Sequence, residues 1–303
     1  MPCYSPLKGF RNKENGGIVF KRSKIAGEAM EVACGQCLGC RLDHSRMWAT
    51  RIIHEAESWD ENCFITLTYN DDHLPSDGSL VKSDFQKFMK KLRKRVYPRR
   101  VRYYQCGEYG TADNGELGRP HFHACLFNLD FPDKELFGYS QGNPLFVSQL
   151  LEKLWGKGFA VIGDLTFQSA AYVSRYILKK VNGHQASDHY ERIDKSTGEV
   201  YWLVPEYTTM SRRPGIGRDW YEKYKTDCFP SDEVPVPGVG VLPKVPRYYE
   251  EILRSESECD HEAVKLARKV FREANKDEYS PERLMAKYKV KKAQVEMLKR
   301  GKI

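Results

Sequence analysis

The chain has 303 residues, 41% hydrophobic and 30% charged, with 49 Lys and Arg against 41 Asp and Glu for a net charge of +8. That is enough apolar side chain for one or two ordinary cores, which excludes disorder throughout. No apolar run approaches the roughly 20 residues of a bilayer span, the Met1-Pro2-Cys3-Tyr4 start lacks a signal-peptide hydrophobic region, and there is neither a Walker A motif nor a dinucleotide-binding glycine motif. A cytoplasmic protein without membrane partner, P-loop ATPase or Rossmann cofactor site is expected.

The first chemistry along the chain is Cys34-x-x-Cys37-x-x-Cys40. This spacing suits structural Zn²⁺ in a reducing compartment, with Cys3 as a fourth ligand if the N-terminus folds back; His44 in that role, or unliganded thiols, are the alternatives. Trp48, Ile52, Ala56 and Trp59 fall at helical spacing over 41–59, and Cys63–Tyr69 alternates as a strand. Ser83 is placed to cap a helix whose stripe is Phe85, Phe88, Met89, Leu92 and Val96, closed by Pro98. Between Lys87 and Arg102 stand nine Lys/Arg and no acid. Lys87, Lys90, Lys91, Arg93 and Arg95 are candidate phosphate contacts, the other reading being a solvated helix face.

Val101–Tyr109 and His121–Phe127 read as strands around a turn-rich Gly110–Pro120, Leu145–Trp155 as a helix, Phe159–Leu165 as a strand and Ala170–Val181 as a helix. A further strand is expected over Glu199–Val204, and 228–246 holds five of the fifteen prolines, which reads as a linker. The order predicts an α+β fold with a central, largely antiparallel sheet matching a ferredoxin-like βαββαβ unit. The expected divisions are an N-terminal Cys cluster and helix (1–60), a core with its DNA-binding loop (61–227), the Pro-rich linker (228–246) and a basic helical tail (247–303).

His121-Phe122-His123 in a strand puts both imidazoles on one face. A hairpin through Asp113-Asn114-Gly115 can bring Glu108 beside them, with Gln105 its rival. Two histidines and a carboxylate can hold Mg²⁺, Mn²⁺ or Zn²⁺, whereas an arbitrary His-x-His is more often one satisfied and one exposed imidazole. In the helix after 170, Tyr172 and Tyr176 share a face with Arg175, Lys179 and Lys180. Nearby cations favour phenolate, so a tyrosine nucleophile is the functional reading and simple aromatic packing the other. Arg212, Arg213 and Arg218 lie in a Gly/Pro loop followed by Trp220, Tyr221 and Tyr224, a combination suited to single-stranded nucleic acid.

Phe64-Ile65-Thr66-Leu67-Thr68-Tyr69, Gly118-Arg119-Pro120-His121-Phe122-His123 and Tyr172-Val173-Ser174-Arg175-Tyr176-Ile177-Leu178-Lys179-Lys180 resemble motifs I, II and III of rolling-circle replication initiators of the two-tyrosine HUH endonuclease type. The Pro-Cys start, Cys-Gly-Gln-Cys-x-Gly-Cys-Arg and Ser-Arg-Arg-Pro-Gly-Ile-Gly look like gokushovirus replication proteins, and the likeness covers 1–225. The resemblance implies an HUH core in which Tyr172 and Tyr176 attack origin DNA and His121, His123 and Glu108 hold Mg²⁺ or Mn²⁺. It implies that Lys179 or Lys180 assists the phenolate and the transition state, with Arg175 standing where relatives often have lysine. Nicking through a 5′-phosphotyrosine, rejoining of the circle, and a host helicase and DNA polymerase acting in the bacterial cytoplasm follow from the same likeness. The alternatives are a non-catalytic zinc-bearing nucleic-acid-binding protein, and an HUH relaxase or transposase.

Overall fold

The computed structural model describes residues 3–111, 117–140, 142–175, 180–181, 183, 185–194 and 196–299. In chain order the elements are β1 (Leu7–Asn12), β2 (Ile18–Val19), β3 (Ala26–Val32), α1 (Leu38–Ala56), β4 (Asn62–Tyr69), α2 (Lys82–Arg95), β5 (Arg102–Thr111), β6 (Leu117–Phe127), β7 (Glu135–Ser140), β8 (Asn143–Val147), α3 (Gln149–Trp155), β9 (Gly158–Gly163) and α4 (Phe167–Arg175). They continue with α5 (Gln185–Tyr190), β10 (Glu191–Ile193), β11 (Val200–Trp202), β12 (Tyr207–Met210), α6 (Arg218–Cys228), β13 (Glu233–Val236), β14 (Gly240–Pro243), α7 (Arg247–Glu256), α8 (Glu258–Ala274) and α9 (Pro281–Lys299). No helix among the described residues is long and apolar enough to cross a membrane.

The chain divides into two compact units, one of residues 1–44 with 265–303 and the other of residues 45–264. In the first, β1 pairs antiparallel with β2 and β3, Tyr4 meets Tyr288 edge-on at 5.7 Å, and Arg272 pairs with Glu31 at 2.6 Å.

The second unit is built on a seven-stranded sheet in the order β12-β5-β6-β4-β9-β8-β7, every pairing antiparallel. Strict alternation in β4 and β6 gives the sheet two different faces. Ile65, Leu67, Phe122, Ala124 and Leu126 face α2 and α3, where Phe85, Phe88, Leu92 and Trp155 complete one core. Tyr104, Cys106, Cys125 and Phe127 face the other way, toward Ala49 and Ile52 of α1, Ala170 and Val173 of α4, Trp220 of α6 and Tyr249 of α7.

Several local expectations are corrected. Ser83 is not the cap of α2: the cap position is Val81, without a side-chain hydrogen bond. The apolar run Leu145–Trp155 splits into the end of β8 and helix α3, because Ser148 accepts from the Leu151 N–H and starts the helix only there. The stretch 228–246 is no extended spacer. It forms the β13–β14 hairpin, whose Val234 and Val236, with Val245, enter the core under α1 and α7. The segment beginning at 247 likewise opens with a core helix, since Tyr249, Ile252 and Leu253 of α7 are buried. Helix α4 covers Phe167–Arg175, so Tyr176 and Lys179 lie outside the described residues.

Two glycines of the Ser211–Gly217 loop are explained by α7. A Cβ on Gly215 would meet the Tyr248 hydroxyl at 2.3 Å, and one on Gly217 the Tyr249 hydroxyl at 2.3 Å. Gly217 also sits at φ +76° and donates its N–H to Glu55 Oε2 at 2.8 Å.

Candidate metal and nucleophile site

The pairing of β4, β5 and β6 fixes the site before any side chain is considered. Glu108 lies opposite His121 and Cys106 opposite His123, while Thr66 lies opposite His123 on the other side. Alternation therefore puts Glu108, His121, His123 and Thr66 on one face, the face away from α2. Gln105 has the opposite parity, and its Oε1 accepts from Thr209 Oγ1 at 2.5 Å, which removes it as the rival ligand.

Glu108 Oε1 is 2.7 Å from His121 Nε2 and 3.1 Å from His123 Nε2. The far ring nitrogens are also held: His121 Nδ1 donates to the Arg119 carbonyl at 3.0 Å, and His123 Nδ1 meets Thr66 Oγ1 at 2.9 Å. The Arg119 carbonyl and Thr66 thus orient the two rings so that both Nε2 atoms face Glu108, as the backing partners of metal-ligating imidazoles do. Burial alone would raise the Glu108 carboxyl, which is 1% exposed, but the two imidazole hydrogen bonds outweigh it and hold the group below the usual carboxylate range. One donor atom from each of the three residues lies within 4.8 Å of the others, so the set fits one divalent cation.

Tyr172, in the last turn of α4, stands edge-on to His123 with ring centroids 5.3 Å apart and planes at 83°. Phe64 stacks on His123 at 5.5 Å and meets Tyr172 edge-on at 6.4 Å, so the three rings form a cluster. Tyr172 is thus half-buried against the core rather than on a solvated cationic face, contrary to the expectation from helical spacing. Burial raises its pKa, the Glu108 charge raises it further, and Arg175 lowers it too little to compensate. Arg175 is exposed and Lys180 partly exposed.

A match to the family model for replication-associated protein ORF2/G2P spans residues 62–181, from β4 past α4. The chain is 34% identical over 262 residues to replication-associated protein VP4 of Bdellovibrio phage phiMH2K, covering 83% of this chain and 76% of that protein. It is 33% identical over 282 residues to replication-associated protein ORF2 of Spiroplasma virus 4, covering 84% and 81%. It belongs to the phage replication-associated protein family. A third relative is replication-associated protein ORF4 of Chlamydia phage 1, 28% identical over 251 residues that cover 78% of this chain and 58% of that protein. No solved structure matches the chain.

In this replication-associated protein a second donor set is formed by Cys3, Cys34, Cys37 and Cys40, whose sulfurs lie within 4.8 Å of one another. Cys3 Sγ is 3.6 Å from Cys34 Sγ and 3.9 Å from Cys37 Sγ, close to the ~3.8 Å edge of a tetrahedron with Zn–S bonds of about 2.3 Å. Backbone amides point at the sulfurs: Tyr4 N–H at Cys37, Cys37 N–H at Cys34 and Cys34 N–H at Cys3. Against burial, which raises it, such amide bonds bring the Cys37 thiol down to about 7.

The basic residues divide by surroundings. Lys87, Lys90, Lys91, Arg93 and Arg95 are exposed on α2, on the opposite side of the sheet from Glu108 and His123. Arg218 is engaged by Glu222 and, at 3.6 Å, by Glu256. Arg212 and Arg213 are exposed. Residues to which the sequence assigned no role of their own are Phe64 and Thr66 of the first motif, which brace His123, and the 65% exposed Phe159. Phe159 lies opposite Thr68, and Thr68 lies opposite His121. The alternation of Thr66 with Ile65 and Leu67 was the available signal.

Proposed function

We propose that this protein initiates rolling-circle replication of a single-stranded DNA phage genome, cutting the origin through tyrosine and rejoining the finished circle. The observation that carries the reading is the Tyr172 ring standing against His123 at the Glu108–His121–His123 centre. The order β5-β6-β4-β9, with α2 between β4 and β5 and α3 ahead of β9, supports an HUH, ferredoxin-like βαββαβ core.

Glu108, His121 and His123 would hold Mg²⁺ or Mn²⁺, which when bound polarises the scissile phosphate and steadies its developing charge. Tyr172 Oη attacks the phosphorus, the tyrosine–phosphate bond forms as the phosphorus–O3′ bond breaks, and the products are a 5′-phosphotyrosine and a free 3′-OH. Burial raises the pKa of the phenol, so its proton leaves during attack, while the departing O3′ takes one up to become the 3′-OH and the exchange balances. One phosphoester replaces another, and rejoining needs no nucleotide cofactor. Tyr176 supplies the second attack that ends a round; Lys179 or Lys180 neutralises the five-coordinate phosphate. Arg175 contacts the DNA. A host DNA polymerase extends the 3′-OH and a host helicase unwinds. Structural Zn²⁺ at Cys3, Cys34, Cys37 and Cys40 closes the N-terminal segment.

The test is to incubate the full chain with labelled circular single-stranded phage DNA and Mg²⁺ or Mn²⁺. A protein–DNA adduct stable to denaturant, absent with EDTA, is expected. Its absence with either cation overturns the reading.

A further inference from the structure

Two basic clusters far apart in sequence meet at one end of the sheet. Arg93, Arg99, Arg100, Arg102, Arg212 and Arg213 line a single cavity of about 390 Å³, between the segment after α2 and the loop after β12. The forks are positioned from beneath. Arg102 is 2% exposed, its Nε bonds Glu55 Oε1 at 2.5 Å and its Nη2 donates to the Pro214 carbonyl at 2.9 Å. Its Nη1 is buried and without a hydrogen-bond partner among the described residues.

Arg100 Nη2 donates to the Arg213 carbonyl at 2.8 Å, and Arg93 Nε and Nη2 to the Val101 carbonyl at 3.3 and 3.2 Å. Carbonyls orient a guanidinium without cancelling its charge. Only Arg99 and Arg102 of the six meet a carboxylate among the described residues, Glu61 and Glu55 respectively. The cavity is therefore a concave, strongly positive surface made of planar forks, which match phosphate oxygens better than the separate ammonium groups on the outside of α2. At its rim Tyr97 is 84% exposed, an aromatic face open to a base.

We infer that this arginine basin binds the phosphate backbone of single-stranded DNA, with a base stacked on Tyr97, as a holding site separate from the Glu108–His121–His123 centre. Arg102 and Glu108 belong to the same strand, six residues apart, which sets the two sites about 20 Å from each other. Tyr97 and the arginine forks favour a flexible single strand, whose bases are free to turn toward an aromatic ring. The lysine surface of α2 is the solvated face that its exposure suggests. The inference rests on the proposed handling of single-stranded DNA, and its test reads binding, not cutting.

Fluorescein-labelled twenty-residue oligothymidylate is titrated with the full chain by anisotropy over a KCl series. Arg212→Gln with Arg213→Gln is compared with Lys90→Gln with Lys91→Gln, and thermal melting checks that each variant is folded. The arginine pair is expected to weaken binding about tenfold and to flatten the log–log salt slope by about 1.4, two contacts at roughly 0.7 each. The lysine pair is expected to change affinity less than about twofold, and Tyr97→Ala to weaken binding with the slope kept. Unchanged affinity and slope in the folded arginine pair overturn the basin, as does an equal loss in the lysine pair. A wild-type preference for duplex over the single strand overturns the single-strand assignment. If the wild type forms no covalent adduct yet these binding results hold, the nuclease reading fails and the basin stands.

Discussion

The ring of Tyr172 meets that of His123 at right angles, 5.3 Å between centroids, so the phenol belongs to the same packed layer as a metal-ligand candidate. Phenylalanine preserves that packing and removes only the hydroxyl. Tyr172→Phe is expected to lower adduct formation while leaving the melting temperature within about 2 °C, and Tyr172→Phe with Tyr176→Phe to leave no adduct, less than one part in about 10³. Denaturing gels and thermal melts read both. Persistent adduct in the double variant would put the nucleophile elsewhere.

His123 is clamped from both ring nitrogens, by Glu108 and Thr66, yet the arginine basin is distant from it. His123→Ala is expected to reduce nicking by at least about 10³-fold and oligonucleotide affinity by less than about threefold, since affinity comes mainly from phosphate contacts. Thr66→Val, which keeps the shape but removes the Oγ1 partner, is expected to cost roughly 10–100-fold in metal affinity or activity. Titration of Mn²⁺ against nicking rate separates the two effects; a Thr66→Val variant with wild-type Mn²⁺ dependence would show that the hydrogen bond does not tune the centre.

The four thiols predict one tightly held zinc per chain. Elemental analysis of protein purified without chelator is expected to give about one equivalent, falling below about 0.2 in Cys37→Ser, and the thiolates are expected to take up protons from solution as the ion leaves. Zinc-free wild-type protein that melts as the untreated sample does would remove the ion from the account.

His54 makes a pH prediction. It is buried between Trp220, stacked at 3.4 Å, and Tyr249, whose hydroxyl lies 3.0 Å from Nδ1, while Nε2 donates to the Pro235 carbonyl at 2.9 Å. Burial brings its pKa from 6.5 down to about 4. Protons then bind preferentially to the unfolded chain between those values, so stability is complete above about pH 6.5 and falls as pH drops toward 4. At pH 4.5 the loss from this group is about 2–3 kcal/mol. Urea unfolding at pH 7.5 and 4.5 is expected to show an acid loss smaller by about that amount in His54→Gln. Equal losses in the two proteins would mean that His54 does not titrate with folding.

The parts legible in the sequence were those with an unbroken period. Ile65 and Leu67 alternate with Phe64 and Thr66 in β4, and the same rule set both imidazoles of β6 on one face; counting back through the hairpin then gave Glu108. Gly, Pro and polarity hid the rest. Val234 and Val236 alternate inward in β13, but the prolines around them carry the signature of a spacer. Tyr249 stacks on Tyr221 at 5.1 Å and Trp220 at 6.1 Å, a tertiary partnership that the charged helix sequence of α7 does not advertise. For Tyr172, helical spacing identified its cationic neighbours, whereas its pKa is decided by burial and Glu108, which come from other elements.

The unit that carries the four cysteines draws on both ends of the chain, residues 1–44 and 265–303. During synthesis the first of these segments leaves the ribosome long before its partner helices exist, and at about 5–20 residues per second the intervening stretch occupies many seconds. Thiols and the β1–β3 strands must wait in an incomplete environment through that interval. Closing contacts across so long a separation is slow compared with closing local ones. A replication protein assembled this way completes its thiol-bearing unit only after residues 265–303 have been made, so a chain cut short before them can form the seven-stranded sheet without that finished unit.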